Sequence, residues 1–283
     1  MRSLGIDVGV RKGLDLVLLD ESLRPAATLR RVEVATLGNV LDELRPDVVA
    51  IDAPPGWGVG GGSRTTEREL RVFGIQSFGT PSDERQVDRP FYEWMRVGFE
   101  VFRVAAEGGY PRYASGNVRG TAIEVFPHAS AVVLAGCLPA PGRAKRAWRA
   151  GVLARRGVDV EGLRSADQVD AALAALTGLV ALAGKRTALG DPVEGVIVLP
   201  AAALPRPPYR RCPETLPPEI QPALPGMSRC ACGDPVCAAL TAGEFARGHD
   251  AKRKSRLWAR ARLGEEAVQE LRRRRWELPP EMR

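Results

Sequence analysis

Three acidic residues stand near the carboxyl ends of apolar segments that are expected to be β-strands. They are Asp7 in segment 3–9, Asp52 in segment 47–53 and Glu124 in segment 121–126. Acidic residues are disfavoured inside strands, so carboxylates in these positions require an explanation. Ligands of open α/β sheets bind beyond the carboxyl ends of the parallel strands. Three carboxylates meeting there would repel one another without a cation, and such oxygen ligands suit magnesium or manganese.

A predicted helix at 167–184 adds two further acids, Asp167 and Asp170. At 100° per residue, these two side chains lie within about 60° of each other on the helix. Ala171 and Gly178 extend the same stripe with small side chains. Because small residues let a helix lie close to its neighbour, both acids are expected to reach the carboxylates of the sheet.

Each acid also has a purely structural interpretation. Asp7 before Gly9 and Asp52 before Pro54 are compatible with turns at strand ends. Asp167 is compatible with the first turn of a helix, where the helix dipole favours a negative charge. The set of five acids is therefore more informative than any single member.

Basic residues near the same segments are candidates for holding a phosphate group. Arg64 and Arg68 lie in a predicted helix that follows the Gly-rich segment 58–62, and Lys12 lies in the turn after the first strand. Lys145 is a weaker candidate of the same kind. Such side chains bind phosphate oxygens through charge-assisted hydrogen bonds. A solvated position on the surface is the alternative role for each of them.

The elements expected around these residues form an α/β domain over residues 1–204. Three strands, a helix and a fourth strand account for the first 55 residues, and helices and strands then alternate. A strand meander followed by right-handed crossovers gives a mixed sheet with helices on both faces. High proline content predicts a linker at 205–228, which leaves 229–283 as a small helical appendage containing Cys and His.

The net charge of +7 is concentrated in the last quarter of the chain. Residues 205–283 carry 16 Lys/Arg against 10 Asp/Glu, whereas residues 1–204 carry 25 against 24. A predicted basic helix over about 250–275, with Trp258 and Trp276 nearby, is suited to binding phosphates and stacking on bases. The alternative is a solvated charged face with buried tryptophans.

The cysteines are concentrated in the same region. Cys230, Cys232, Cys237 and His249 are candidate zinc ligands, with Cys212 as an alternative fourth ligand. Reduced cysteines without a metal are the other interpretation. The total of five cysteines is odd, and Asp7 interrupts the apolar stretch that a signal peptide needs. We therefore expect no disulfide framework and a cytoplasmic location. No apolar run is long enough for a membrane span.

Five short motifs in a fixed order resemble a known family. They are Gly5-Ile6-Asp7-Val8-Gly9, Ile51-Asp52-Ala53-Pro54, the segment from Arg64 to Arg68, Ile123-Glu124-Val125-Phe126-Pro127 and Asp167-Gln168-Val169-Asp170-Ala171. Together they resemble the predicted-nuclease family catalogued as domain of unknown function 429, over about residues 1–204. The resemblance implies a ribonuclease H-like fold and metal-dependent phosphodiester hydrolysis. The last motif also resembles the final helix of Holliday-junction resolvases of that fold.

The sequence therefore predicts a metal-dependent nuclease acting on DNA or RNA. Asp7, Asp52, Glu124 and Asp170 are its expected catalytic and metal-binding acids, and Asp167 is a further metal ligand. Two cations would activate a water and stabilise the leaving oxygen, with Asp7 binding both.

Three alternatives remain open, as does the oligomeric state. The first is a non-catalytic adaptor that binds nucleic acid on a ribonuclease H-like scaffold. The second is an actin-like ATP-dependent phosphotransferase, for which the one Gly-rich segment, 58–62, follows the wrong element. The third is a chain whose tail binds protein and whose acids are structural.

Overall fold

The computed structural model describes residues 1–60, 62–82 and 89–212. The strands are β1 (Arg2–Asp7), β2 (Leu14–Asp20), β3 (Pro25–Val32), β4 (Val48–Asp52), β5 (Ala122–Glu124), β6 (Thr187–Asp191) and β7 (Gly195–Leu199). The α-helices are α1 (Leu37–Leu44), α2 (Thr65–Val72), α3 (Glu93–Glu107), α4 (Pro127–Ala135), α5 (Lys145–Arg155) and α6 (Ala166–Leu182). Two short 3-10 helices cover Val34–Thr36 and Pro90–Tyr92. No helix within the described ranges is both long and apolar enough to cross a membrane.

The seven strands form one mixed sheet in the order β3-β2-β1-β4-β5-β7-β6. β1 pairs antiparallel with β2 and parallel with β4, and β4 pairs parallel with β5. The register places Asp7 opposite Asp52 and Ile51 opposite Glu124. The carboxyl ends of the three parallel strands therefore meet at one edge, as the sequence predicted.

Both faces of the sheet are covered, which explains the uninterrupted apolar character of β2. Leu16 and Leu18 pack in the core on the side of α1 and α3, whereas Val17 and Leu19 pack on the side of α5 and α6. Strands buried on both faces need apolar residues at successive positions instead of alternating ones. The predicted architecture, an α/β domain with a mixed sheet flanked by helices, is confirmed for the described residues.

Two elements go beyond the sequence expectations. The strand expected over 121–126 is shorter, because β5 ends at Glu124, and Pro127 instead begins α4, since proline fits the first turn of a helix, where its missing N–H is not needed. β6 is an edge strand that pairs only with β7 among the described strands. Its sequence, Thr187–Asp191, lacks the apolar run that predicts a central strand.

The described start of the proline-rich segment packs against the domain. Tyr209 is buried, and its backbone N–H donates to the Phe73 carbonyl oxygen. Cys212 forms a disulfide with Cys137, 75 positions earlier. No disulfide framework was expected, and this single disulfide was missed because a cysteine count does not show which distant positions the fold brings together. Cys212 is correspondingly not free to bind zinc.

The predicted zinc ligands and basic helix lie outside the described residues. This applies to Cys230, Cys232, Cys237, His249 and the two tail tryptophans. Those assignments stay predictions.

The contact between α6 and β1 depends on residues that leave room for the backbone. A Cβ atom at Gly5 would lie 1.9 Å from the Ala171 carbonyl oxygen and 2.4 Å from the Ala175 nitrogen. About two turns after Ala171 in α6, a Cβ at Gly178 would lie 2.1 Å from the Ser3 hydroxyl oxygen. The predicted stripe of small residues is thus confirmed, and it holds α6 directly against the sheet.

We predict that Gly5→Ala destabilises the protein, because its methyl group would overlap the backbone of α6. Overpacking of this kind typically lowers the free energy of unfolding by about 1–3 kcal/mol. Gly38→Ala is the matched control: Gly38 lies in α1 and a Cβ there meets no atom within 4 Å. Chemical denaturation of both variants measures the difference. Equal stability of Gly5→Ala and wild type would contradict the proposed packing.

Candidate metal centre

Three aspartates from three different elements converge at the carboxyl edge of the sheet. Asp7 ends β1, Asp52 ends β4 and Asp170 lies in the second turn of α6. One carboxylate oxygen from each lies within 4.8 Å of the other two. In-register pairing of β1 with β4 aligns Asp7 with Asp52, and the contact of Ala171 with the sheet brings Asp170 to them.

The electrostatics of this cluster favour the uptake of positive charge. Burial raises the pKa of Asp7 to about 8, and the negative charges of Asp170, Asp167 and Asp15 add to the effect. The pKa of Asp52 is also raised well above its ordinary value, first by burial and then by Asp7. Carboxylates that repel one another in this way are stabilised by protons or by a cation.

The donor set fits a divalent cation. Carboxylate oxygens are the ligands that magnesium and manganese prefer. Asp170 Oδ1 is buried and has no hydrogen-bond partner among the described residues, so it has an open coordination position. The three aspartates are partly buried, so each keeps some exposure to solvent.

Arg149 is the residue of this centre that the sequence analysis missed. It extends from α5 and forms an ion pair with Asp170, and both side chains are 14% exposed. Its positive charge lowers the pKa of each of the three aspartates, partly offsetting the effect of burial. Nothing in the local sequence distinguishes Arg149 from the other arginines of α5, because only the packing of α5 on α6 brings it here.

Asp167 and Lys12 lie at the edge of the centre. Lys12 Nζ donates to an Asp167 carboxylate oxygen at 3.4 Å, and the Lys12 side chain is 73% exposed. Asp167 raises the pKa of Asp7 through its charge, although it is not one of the three clustered aspartates. These two residues therefore form an ion pair beside the cluster, on a part of the surface that a phosphate can reach.

Glu124 has a different partner. Its carboxylate accepts hydrogen bonds from Arg64 Nη1 at 2.8 Å and Nη2 at 2.5 Å, and both residues are buried. Arg64 Nε also donates to Glu67 Oε1 at 3.1 Å. Arg64, predicted to bind phosphate, is thus 1% exposed and engaged by two carboxylates. The structure brings Glu124 to this buried pair and not into the aspartate cluster.

Arg68 remains at the surface of α2. Its guanidinium donates to the Ser63 carbonyl oxygen and to Thr65 Oγ1 at 2.8 Å. The amino-terminal end of α2 is occupied by the Glu194 carboxylate, which accepts from the Thr65 and Val59 backbone N–H groups. An anion already fills the position where a Gly-rich loop would hold a nucleotide phosphate.

Comparison with known proteins gives one family and a set of distant structures. A family model described as "Protein of unknown function (DUF429)" matches residues 5–195. The Thermus thermophilus RuvC structure shares 21% identity and covers 62% of this chain and 91% of its own, with a TM-score of 0.36. T. thermophilus RuvC in complex with a Holliday junction substrate shares 21% identity over 65% and 96%, with a TM-score of 0.37. No curated protein sequence matches the chain.

We predict that metal-free protein loses stability as the pH rises, because the fold keeps Asp7 protonated at pH values where the unfolded chain releases that proton. The pKa of Asp7 is about 8 in the fold and about 4 in the unfolded chain, so its stabilising contribution is complete below about pH 4. That contribution is lost as the pH rises towards 8. Thermal unfolding in chelator from about pH 5 to about pH 8.5 should show this decline in wild type and a weaker one in Asp7→Asn. Parallel curves for the two proteins would contradict it.

We also predict that Glu124→Gln lowers stability without abolishing stabilisation by added magnesium or manganese. Glu124→Gln removes one of the two carboxylates that pair with the buried guanidinium of Arg64, and breaking a buried ion pair costs up to about 3–5 kcal/mol. Arg103→Gln is the control, because exposed Arg103 also pairs with two glutamates but is screened by water. Denaturation and metal titration measure both effects. A stable Glu124→Gln protein that no longer responds to metal would identify Glu124 as a ligand instead.

Proposed function

The chain belongs to the DUF429 family, and we propose that it is a divalent-metal-dependent nuclease whose mixed seven-stranded sheet carries three clustered carboxylates. Its reaction is the hydrolysis of phosphodiester bonds in DNA or RNA. The observation that carries the proposal is the convergence of Asp7, Asp52 and Asp170 within 4.8 Å at the sheet edge where ligands of α/β folds bind.

The spacing of the aspartates supports metal binding in this role. Oxygens within 4.8 Å of one another are close enough to share one cation or to serve a pair about 3.5–4 Å apart. Asp7 would hold the metal together with both other aspartates, because β1 lies next to β4 in the sheet and against α6. When bound, divalent cations lower the pKa of an attacking water and stabilise the charge on the leaving oxygen.

Residues of the chain itself hold and orient this acidic set. The sheet register fixes Asp7 and Asp52, and the ion pair with Arg149 holds one oxygen of Asp170. Lys12 is proposed to contact a substrate phosphate, because its exposed ammonium lies beside the cluster on Asp167. Together these groups surround a site that repels a polyanion until metal neutralises it.

The basic segment 205–283 is proposed to supply further contacts to the phosphate backbone. Its surplus of six positive charges complements a polyanion, whereas residues 1–204 are nearly neutral. This division assigns affinity mainly to the tail and hydrolysis to the aspartates. Zinc binding by Cys230, Cys232, Cys237 and His249 remains part of this proposal.

Arg149 favours a second candidate, the non-catalytic adaptor that binds nucleic acid. Its guanidinium already brings one positive charge to Asp170, which partly replaces a cation. An adaptor would bind nucleic acid in chelator and leave it uncut with metal. The phosphotransferase alternative has less support, because Glu194 already occupies the amino-terminal end of α2.

We predict that the purified full chain cleaves DNA or RNA with magnesium or manganese, and that Asp7→Asn removes this activity. The expected loss is about a thousandfold or more, because a metal contributes several kcal/mol of transition-state stabilisation. Asp42→Asn on the exposed face of α1 is the matched control and should cleave like wild type. Labelled single-stranded, duplex and branched substrates report the cleavage on gels.

Two other outcomes of the cleavage assay have distinct explanations. Equal cleavage by wild type and Asp7→Asn would indicate a contaminating nuclease. Binding without cleavage in both metals would support the adaptor.

A further inference from the structure

Five aromatic side chains form one connected cluster, which we call the aromatic cluster. Successive ring centroids lie 4.8 Å apart for Phe99 and Trp57, 6.3 Å for Trp57 and Tyr92, 5.0 Å for Tyr92 and Phe91, and 5.3 Å for Phe91 and Phe78. Aromatic residues make up only 6% of the chain, so this concentration in one place is unusual.

The outer part of the aromatic cluster is exposed to solvent. Phe78 is 66% exposed and Phe91 is 53% exposed, and they contact each other edge to face. Trp57, Tyr92 and Phe99 are partly buried and connect this pair to α3. Single exposed apolar residues are ordinary, but a contiguous exposed patch marks a binding surface.

The fold ties the aromatic cluster to the metal centre. Trp57 follows Asp52 by five residues, so the two backbones are at most about 18 Å apart. Gly98 allows α3 to press on this connection, since a Cβ there would lie 2.4 Å from the Ala53 Cβ. Phe99 is the next residue of α3 and packs on Trp57. The same short loop therefore leaves the metal centre and enters the aromatic cluster.

We propose that the aromatic cluster is a stacking platform for unpaired bases of the nucleic acid whose backbone reaches the metal centre. This inference rests on the proposed function and narrows its substrate class to strands with unpaired bases. Aromatic rings stack on the faces of bases with little sequence preference. In a duplex those faces are covered by neighbouring bases, so an exposed ring pair such as Phe78 and Phe91 discriminates against fully paired nucleic acid.

One exposed side chain of each charge, Arg89 and Glu93, flanks the short helix that carries two of the rings, and the positive one suits a nucleic-acid strand. Arg89 is exposed and directly precedes Pro90–Tyr92, the short helix that contributes Phe91 and Tyr92 to the cluster. A positive charge beside stacking rings lets one strand place its bases on the rings and a phosphate on the arginine. A purely apolar partner would gain nothing from Arg89.

The test measures binding of the full chain to labelled oligothymidylate of about 20 nucleotides, in chelator so that no strand is cut. Binding is measured by fluorescence anisotropy at elevated salt. The salt weakens the phosphate contacts of the tail, whereas base stacking remains. The double variant Phe78→Ser/Phe91→Ser should raise the Kd for the single strand about fivefold or more. Its Kd for a duplex of equal length should stay unchanged.

Two controls identify the cause of any loss. Val193→Ser removes an apolar side chain that is 73% exposed but lies outside the aromatic cluster, and it should bind like wild type. Phe78→Tyr/Phe91→Tyr keeps both stacking faces and should retain affinity. An unchanged Kd for the serine double variant would overturn the proposal, as would an equal loss for duplex. A wild-type dimer that the serine variant converts to monomer, with unchanged oligonucleotide binding, would reassign the surface to self-association.

The platform and the nuclease activity fail in different measurements. Asp7→Asn should keep the affinity for oligothymidylate while losing cleavage. If single strands bind through the aromatic cluster but no metal supports cleavage, the platform stands and the nuclease proposal falls. If cleavage depends on Asp7 while the serine double variant binds normally, the nuclease proposal stands and the platform proposal falls.

Discussion

The close approach of α6 to β1 is the contact on which the candidate site depends. Gly5 leaves space for the backbone of α6 at Ala171, and Gly178 leaves space for Ser3 at the other end. Asp170 is the neighbour of Ala171 and Asp7 follows Gly5 by two residues, so the packing of small residues sets the distance between carboxylates. A glycine in a central strand costs packing and chain entropy. That cost is understandable because any larger residue would push α6, and Asp170 with it, away from the sheet.

Buried carboxylates in this fold follow two different electrostatic solutions. Glu124 and Glu67 share the guanidinium of Arg64, so each buried carboxylate has a positive partner within hydrogen-bond distance. Asp7 and Asp52 repel each other, and the positive charges that act on them and on Asp170 come, among the described residues, from Arg149 and, for Asp170, also from Lys145. The first arrangement pairs each acid with a guanidinium, and the second leaves a deficit of positive charge that a bound cation would relieve. Under the proposed function, this difference distinguishes Glu124 from the three aspartates, although all four lie near the carboxyl edge of the sheet.

Much of this arrangement was predictable from the sequence, and the rest depends on contacts between distant segments. Asp7 and Asp52 could be assigned because they end apolar strands that pair in parallel, and the small residues near Asp170 indicated close packing. Glu124 also ends an apolar parallel strand, but its partner Arg64 lies 60 positions earlier, and no local pattern predicts the pair. The same holds for Arg149 and for the disulfide of Cys137. The residues of the aromatic cluster are likewise scattered over 57–99 and become a surface only in the fold.

A crystal structure with Mn²⁺ tests the central claim, that the three aspartates form a metal centre. We predict an anomalous peak at the carboxyl edge of β1 and β4, with oxygens of Asp7, Asp52 and Asp170 about 2.1 Å from the metal. Arg149 should then be seen to hold the other oxygen of Asp170. Absence of the peak from this cluster at saturating Mn²⁺, with the aspartates unmoved, would contradict the account and leave them as structural residues.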